Sequence, residues 1–125
     1  MARILLVDDD PAVRGSLLRF LEREGHDVGE ARDGREAVEA VGRGSWDLVI
    51  TDVNMPEMSG IEVLMAVRES SPEIPVIAIS GGGLLDKAML LDDAGALGAV
   101  ATIEKPVELD ELRRLVEGAL ARGDR

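Results

Sequence analysis

The sequence predicts an α/β protein with a five-stranded parallel sheet covered by helices on both faces, a doubly wound (βα)5 architecture. Five short runs rich in Val, Ile and Leu alternate with stretches in which apolar residues recur at helical spacing. Turn-forming residues, in stretches such as "EGH", "RDG" and "SSPEIP", separate these segments. Strands that alternate with helices need right-handed crossovers, so the sheet is expected to be parallel.

The predicted strands are short and apolar. The first, third and fourth are apolar almost throughout, as strands buried on both faces must be. In chain order, the five runs are Arg3 to Val7, His26 to Ala31, Leu48 to Thr51, Val76 to Ile79 and Ala99 to Ile103.

One-sided apolar stripes predict the helices. The first stripe comprises Val13, Leu17, Phe20 and Leu21, and the last comprises Leu109, Leu112, Val116, Ala119 and Leu120. Weaker stripes occur at Ala37, Ala40 and Val41 and at Ile61, Leu64 and Met65. Asp10 followed by Pro11 is typical of a helix N-cap with proline at the first helical position.

Length and composition restrict the possible functions. The 125 residues predict one domain, residues 1–125, without an output domain. Fourteen Lys and Arg against 25 Asp and Glu give a net charge of −11, which argues against direct nucleic-acid binding. Without cysteine, and with only His26 as a nitrogen ligand, a metal would have to be held by oxygen. No signal peptide or membrane span is visible, so we expect a cytoplasmic protein with no membrane partner.

Polar residues follow the strands at the sheet edge where ligands bind in open parallel sheets, outside the carboxyl ends. Asp8 and Asp9 follow the first strand, and Asp52 follows the third. Ser80 follows the fourth strand and Lys105 follows the fifth. We expect these five side chains to lie close together.

Capping accounts for only one of the three consecutive aspartates. Asp10 can cap the first helix, which leaves Asp8 and Asp9 without a structural role. Two like charges at the edge of a hydrophobic sheet raise each other's proton affinity unless a cation lies between them. Mg²⁺, which prefers oxygen ligands and keeps several waters, suits such a site.

Asp52 strengthens the metal hypothesis. It emerges from the middle of the sheet, no cation stands near it in "TDVNMPEMSG", and the next helix is predicted to begin near Ser59 or Gly60, too late for Asp52 to cap it. A carboxylate beside a metal can also act as a nucleophile toward a phosphoryl group. Lys105 and Ser80 could supply a cation and a hydroxyl donor for the phosphoryl oxygens.

The sequence resembles the receiver domain of two-component response regulators over nearly its whole length. The matching stretches are "VDDD", "GHDVGEARDGREAV", "WDLVITDVNMPEMSGIEVL", "IPVIAISG" and "LGAVATIEKPVELDEL". The resemblance implies a flavodoxin-like receiver fold with strand order 2-1-3-4-5. It also implies a bacterial signalling protein whose only chemistry is self-phosphotransfer and autodephosphorylation, rather than a conventional enzyme.

The resemblance further implies roles for individual residues. Asp52 would be the phosphoacceptor, with a sensor histidine kinase or a histidine phosphotransfer protein as donor. Mg²⁺ would be bound by Asp9 and Asp52, by Asp8 largely through water, and by the backbone carbonyl of Asn54. Lys105 would pair with the phosphoryl group. Ser80 would move toward the phosphoryl group when it arrives.

One position departs from the family pattern. Receiver domains usually carry Tyr or Phe three residues before the lysine, where this chain has Thr102. A small β-branched side chain cannot make the usual large rotamer change, so output is expected to travel through Gly81–Gly83 and the helix after them. On that predicted helix, Leu90 lies on the polar side. It is a candidate contact for a downstream protein or dimer partner on the face formed by the fourth helix, fifth strand and fifth helix.

Two alternatives remain at this point. "ILLVDDD" also fits the start of haloacid-dehalogenase-type phosphatases, with Asp8 as nucleophile and Asp10 as acid, but the later acidic pair that those enzymes need is missing. The second alternative is an interaction module that keeps the receiver fold without phosphorylation. The presence of all five expected site residues argues against it.

Overall fold

The computed structural model describes residues 2–53, 60–71, 73–80 and 99–123. The strands are β1 (Arg3–Val7), β2 (Asp27–Ala31), β3 (Leu48–Asp52), β4 (Val76–Ser80) and β5 (Ala99–Glu104). The helices in the described ranges are α1 (Pro11–Arg23), α2 (Gly34–Arg43), α3 (Gly60–Ser70) and the C-terminal helix α4 (Leu109–Gly123).

The five strands form one parallel sheet in the order β2-β1-β3-β4-β5. This order confirms the predicted fold class, and it leaves β2 and β5 as the two edges. β1 has its predicted bounds, whereas β2 begins one residue late, and β3, β4 and β5 each extend one residue further. Asp52 and Ser80 are therefore the last residues of their strands rather than the first residues of loops.

Two apolar clusters, one on each face of the sheet, form the core. Successive side chains of a strand point to opposite faces, so Ile4 and Leu6 of β1 pack in one cluster and Leu5 and Val7 in the other. The first cluster is closed by α1 and α4, through residues such as Leu17, Leu21, Leu112 and Val116. The second is closed by α2 and α3, through Ala37, Val41, Val63, Leu64 and Val67.

The helical stripes predicted from the sequence are mostly buried. Leu17, Phe20 and Leu21 of α1 are buried, as are Leu112, Val116 and Ala119 of α4. Two residues differ from the prediction: Leu109, the first residue of α4, is 39% exposed, and Met65 of α3 is 52% exposed. At the start of α1 the predicted cap is confirmed, since the Asp10 carboxylate accepts hydrogen bonds from the amides of Ala12 and Val13.

Some sequence-based expectations concern residues outside the described ranges. These are the Gly81–Gly83 segment, the predicted helix after it and the Leu90 contact. Within the described ranges, the helices are too short or too polar to cross a membrane.

Candidate functional site

Three carboxylates meet at the carboxyl edge of the sheet. Asp8 directly follows β1, where its amide donates to the Ala31 carbonyl at 3.2 Å, and Asp52 ends the neighbouring central strand β3. Asp8 is fully buried, Asp52 is 1% exposed, and Asp9 is exposed. One carboxylate oxygen from each of the three lies within 4.8 Å of the others. The predicted convergence of these acids is therefore present.

Asp10 and Asp8 have different roles. Besides capping α1 with its side chain, Asp10 donates its backbone amide to Asp8 Oδ1 at 2.9 Å. The other oxygen, Asp8 Oδ2, is buried and has no hydrogen-bond partner. A buried carboxylate oxygen without a donor is costly unless a cation compensates it. Asp8 also belongs to an all-oxygen cluster with Asp9 and Asp52, and such a cluster suits a hard divalent cation such as Mg²⁺.

Burial and like charges act on Asp8 together. Burial raises the pKa of the Asp8 carboxyl above its ordinary value, and the negative charges of Asp52 and Asp9 raise it further. The Asp10 amide and the Lys105 ammonium oppose this rise without cancelling it. The charged form of Asp8 therefore carries an electrostatic cost, which a bound divalent cation would relieve.

Lys105 brings the compensating cation that the local sequence around Asp52 lacks. Its ammonium donates to Asp52 Oδ2 at 2.9 Å and lies 3.9 Å from Asp8 Oδ2. Partial burial lowers the pKa of Lys105, but the hydrogen bond and charge of Asp52 and the charges of Asp8 and Asp9 outweigh it, so the pKa is raised. Lys105 precedes Pro106 through a cis peptide bond. The Lys105 ammonium is therefore charged and lies next to the carboxylates of Asp52 and Asp8.

The remaining predicted site residues are only partly described. Ser80 ends β4, where its backbone is in register with Glu104, but its side chain is outside the described part of the structure. Asn54 also falls outside it. Thr102 lies in β5 opposite Ala78 and is exposed, so this position holds a short side chain on the sheet's edge strand.

Sequence reasoning missed two residues beside the site. Arg14, in the first turn of α1, donates from Nη1 to the Asp8 backbone carbonyl at 2.8 Å and from Nε to Glu30 Oε1 at 3.0 Å. The one available signal was the spacing, because Arg14 lies four residues after the capping Asp10 and hence faces back over the first turn.

A comparison with known families agrees with the resemblance to receiver domains. The family model described as "Response regulator receiver domain" matches residues 4–117. The chain belongs to this family. The assignment confirms the resemblance inferred from the sequence.

Curated relatives agree with this assignment. The chain is 37% identical over 120 residues to response regulator MprA of Mycolicibacterium vanbaalenii, covering 96% of this chain and 51% of that protein. It is 32% identical over 120 residues to regulatory protein LuxO of Vibrio cholerae, covering 96% of this chain and 26% of that protein. The chain thus spans between about a quarter and about half of the length of these relatives.

Solved structures share the fold. A response regulator receiver domain protein (CheY-like) from Methanospirillum hungatei JF-1 superposes with a TM-score of 0.91 at 29% identity, covering 99% of this chain and 97% of that one. Response regulator TrrA from Thermotoga maritima, solved in complex with Mg²⁺ and BeF, gives a TM-score of 0.83 at 32% identity, with coverages of 96% and 100%.

Proposed function

We propose that this chain is the phosphoacceptor of a two-component phosphorelay and that Asp52 receives the phosphoryl group in a Mg²⁺-dependent reaction. The observation that carries the proposal is the grouping of Asp8, Asp9 and Asp52 oxygens within 4.8 Å, with the Lys105 ammonium 2.9 Å from Asp52 Oδ2. The complex of Thermotoga maritima TrrA with Mg²⁺ and BeF supports a cation site of this kind.

The acids and the lysine divide the work of phosphoryl transfer. Asp52 supplies the nucleophile: one of its carboxylate oxygens forms a bond to phosphorus. The bond from phosphorus to the donor breaks, and the leaving group, a histidine nitrogen or an acetate oxygen, keeps its electron pair. Asp8, Asp9, Asp52 and the Asn54 carbonyl would hold Mg²⁺, which neutralises charge on the transferring group.

Lys105 would stabilise the phosphorylated form of Asp52. Before transfer its ammonium is paired with Asp52 Oδ2. After transfer the same ammonium can donate to a phosphoryl oxygen, so the added negative charge meets a cation that is already in place. Ser80, at the end of the neighbouring strand, would donate its hydroxyl to another phosphoryl oxygen.

The phosphorylated state would signal by changing what the chain binds. A histidine kinase or histidine phosphotransfer protein is the proposed donor, and a downstream protein or a dimer partner is the proposed receiver of the signal. The proposed contact face contains β5 and α4 together with the predicted helix before β5. With Thr102 in β5, the switch would not depend on an aromatic side chain there. Charge added at Asp52 would bias the neighbouring loops directly.

Acetyl phosphate provides a direct test. With Mg²⁺ present, the wild type should gain one phosphoryl group by intact-protein mass spectrometry, and Asp52→Ala should gain none. Asp8→Ala is the matched comparison: it should label poorly because a metal ligand is lost. Labelling that persists in Asp52→Ala and vanishes in Asp8→Ala would favour the phosphatase mechanism. If the folded wild type is phosphorylated neither by acetyl phosphate nor by a histidine kinase, the result would favour an interaction module that works without phosphorylation.

A further inference from the structure

The guanidinium of Arg14 connects three parts of the structure behind the acidic site. Arg14 belongs to α1, its Nη1 donates to the backbone carbonyl of Asp8, and its Nε donates to Glu30 of β2. The Arg14 side chain is only 14% exposed. A partly buried guanidinium with two directed hydrogen bonds fixes its partners more firmly than a solvated surface pair.

Asp8 is consequently held at three points. Its amide donates to the Ala31 carbonyl at 3.2 Å, its carbonyl accepts from Arg14 at 2.8 Å, and its Oδ1 accepts from the Asp10 amide at 2.9 Å. The atom left over is Oδ2, which is buried without a hydrogen-bond partner and lies 3.9 Å from the Lys105 ammonium. The bonds to the rest of Asp8 therefore determine where Oδ2 points.

We propose that Arg14 is a positioning residue of the metal site: its hydrogen bond to the Asp8 carbonyl keeps the carboxylates of Asp8 and Asp9 aligned with Asp52. Glu30 holds the guanidinium in place and balances its charge. The inference rests on the proposed function, since it assumes that the three acids bind Mg²⁺. Outer residues that orient metal ligands typically contribute about 10- to 100-fold to metal affinity.

A purely electrostatic role and a positioning role for Arg14 predict opposite changes in Mg²⁺ affinity for Arg14→Met. If Arg14 acted only as a nearby positive charge, its removal would tighten Mg²⁺ binding to the acidic cluster. If it positions Asp8, its removal weakens Mg²⁺ binding, and we expect the dissociation constant to rise about 10-fold.

Three more variants complete the design. Arg14→Lys keeps the positive charge but lacks the planar guanidinium that donates to both the Asp8 carbonyl and Glu30. It should therefore weaken Mg²⁺ binding nearly as much as Arg14→Met. Glu30→Gln keeps an oxygen acceptor for Arg14 and should change Mg²⁺ affinity by less than about 3-fold at 0.15 M salt, where the charge effect is screened. Arg113→Met is the matched control. Arg113 is also ion-paired, with Glu24 at 2.7 Å, but it lies on α4, and its loss should leave Mg²⁺ affinity unchanged.

Mg²⁺ affinity is measured by calorimetry without any phosphodonor. The effect of Arg14 on the position of Asp8 is measured separately, by hydrogen exchange of the Asp10 amide, which donates to Asp8 Oδ1, in metal-free protein. Weaker Mg²⁺ binding and faster Asp10 exchange in both Arg14 variants, but not in Arg113→Met, are the expected results. Unchanged or tighter binding in Arg14→Met would overturn the role of Arg14. If Arg14→Met does not fold, Arg14→Lys carries the test. A wild type that binds no Mg²⁺ would instead refute the proposed function. Asp10 exchange at the wild-type rate in the Arg14 variants would refute the claim that Arg14 holds Asp8 in position.

Discussion

Asp8→Asn should stabilise the metal-free protein while abolishing its response to Mg²⁺. In the wild type the Asp8 carboxylate is fully buried, and its Oδ2 has no hydrogen-bond donor. In the variant the amide oxygen can still accept from the Asp10 amide. The substitution removes a poorly compensated charge without removing the hydrogen bond that orders the loop.

The magnitude follows from the distances around Asp8. At an effective dielectric constant of about 20, the ammonium of Lys105 at 3.9 Å attracts the carboxylate by about 4 kcal/mol. Asp52 and Asp9, each with an oxygen within 4.8 Å, repel it by at least about 3 kcal/mol apiece. The repulsion therefore exceeds the attraction, and desolvation adds to it. After screening by water at this open edge, we expect Asp8→Asn to raise the free energy of unfolding by about 1–3 kcal/mol.

The pH dependence of this gain has a definite sign. Because burial raises the pKa of Asp8 above its ordinary value of 3.8, folding favours the protonated form of this residue. Below pH 3.8 the wild-type Asp8 is neutral in both the folded and the unfolded chain, so the two proteins should be equally stable with respect to this group. The advantage of Asp8→Asn should grow as the pH rises above 3.8 and be complete once the pH has passed the folded pKa of Asp8.

Urea unfolding followed by circular dichroism measures both effects. At neutral pH without metal, the variant should unfold at higher urea concentration than the wild type. With Mg²⁺ at 100 times its dissociation constant, the wild type should gain about 2.7 kcal/mol and the variant almost nothing. An Asp8→Asn protein that is less stable than the metal-free wild type at neutral pH would refute the electrostatic reasoning.

Two further predictions concern other parts of the fold. The Arg32 guanidinium holds the pKa of Glu36 at about 2, so the stabilising effect of this ion pair is complete above pH 4.5 and is lost as the pH falls toward 2. In acid titrations, the difference in unfolding free energy between the wild type and Glu36→Gln should therefore shrink between pH 4.5 and pH 2. A difference that stays constant over this range would contradict the prediction. In Gly29→Ala the added Cβ would lie 2.5 Å from the Trp46 ring, so unfolding free energy should fall by about 1–3 kcal/mol in urea titrations. Gly118→Ala, whose Cβ meets nothing within 4 Å, is the control and should be neutral or stabilising.

The sequence carried enough information for the fold and for the convergence of the acids. A run that is apolar on both faces, such as Leu48 to Ile50, has to lie in the interior of a parallel sheet, and this fixes Asp52 at the centre of one edge. Asp10 before Pro11 was recognisable as a cap because capping is a local interaction, and the structure has that cap.

Long-range side-chain partners were not predictable in the same way. Lys105 and Asp52 are 53 residues apart, and we expected the lysine to pair with a phosphoryl group, not that it would already be bonded to the acid. The Arg14 bond to the Asp8 carbonyl depends on how α1 is rotated about its axis, which an apolar stripe defines only coarsely. Likewise, no periodicity indicates that the Trp46 indole donates to the Ala40 carbonyl beside Gly29.

The edge strand β2 has a consequence for the behaviour of the protein at high concentration. In the described part of the chain no strand pairs with its outer side, so its backbone groups there could template pairing with another molecule. Asp27 and Glu30 place carboxylates along this strand, with side chains 63% and 41% exposed. Edge-to-edge stacking of two copies would bring these charges together, and a net charge of −11 adds to the repulsion. Glu30 therefore holds Arg14 and also places a partly exposed carboxylate on this edge strand.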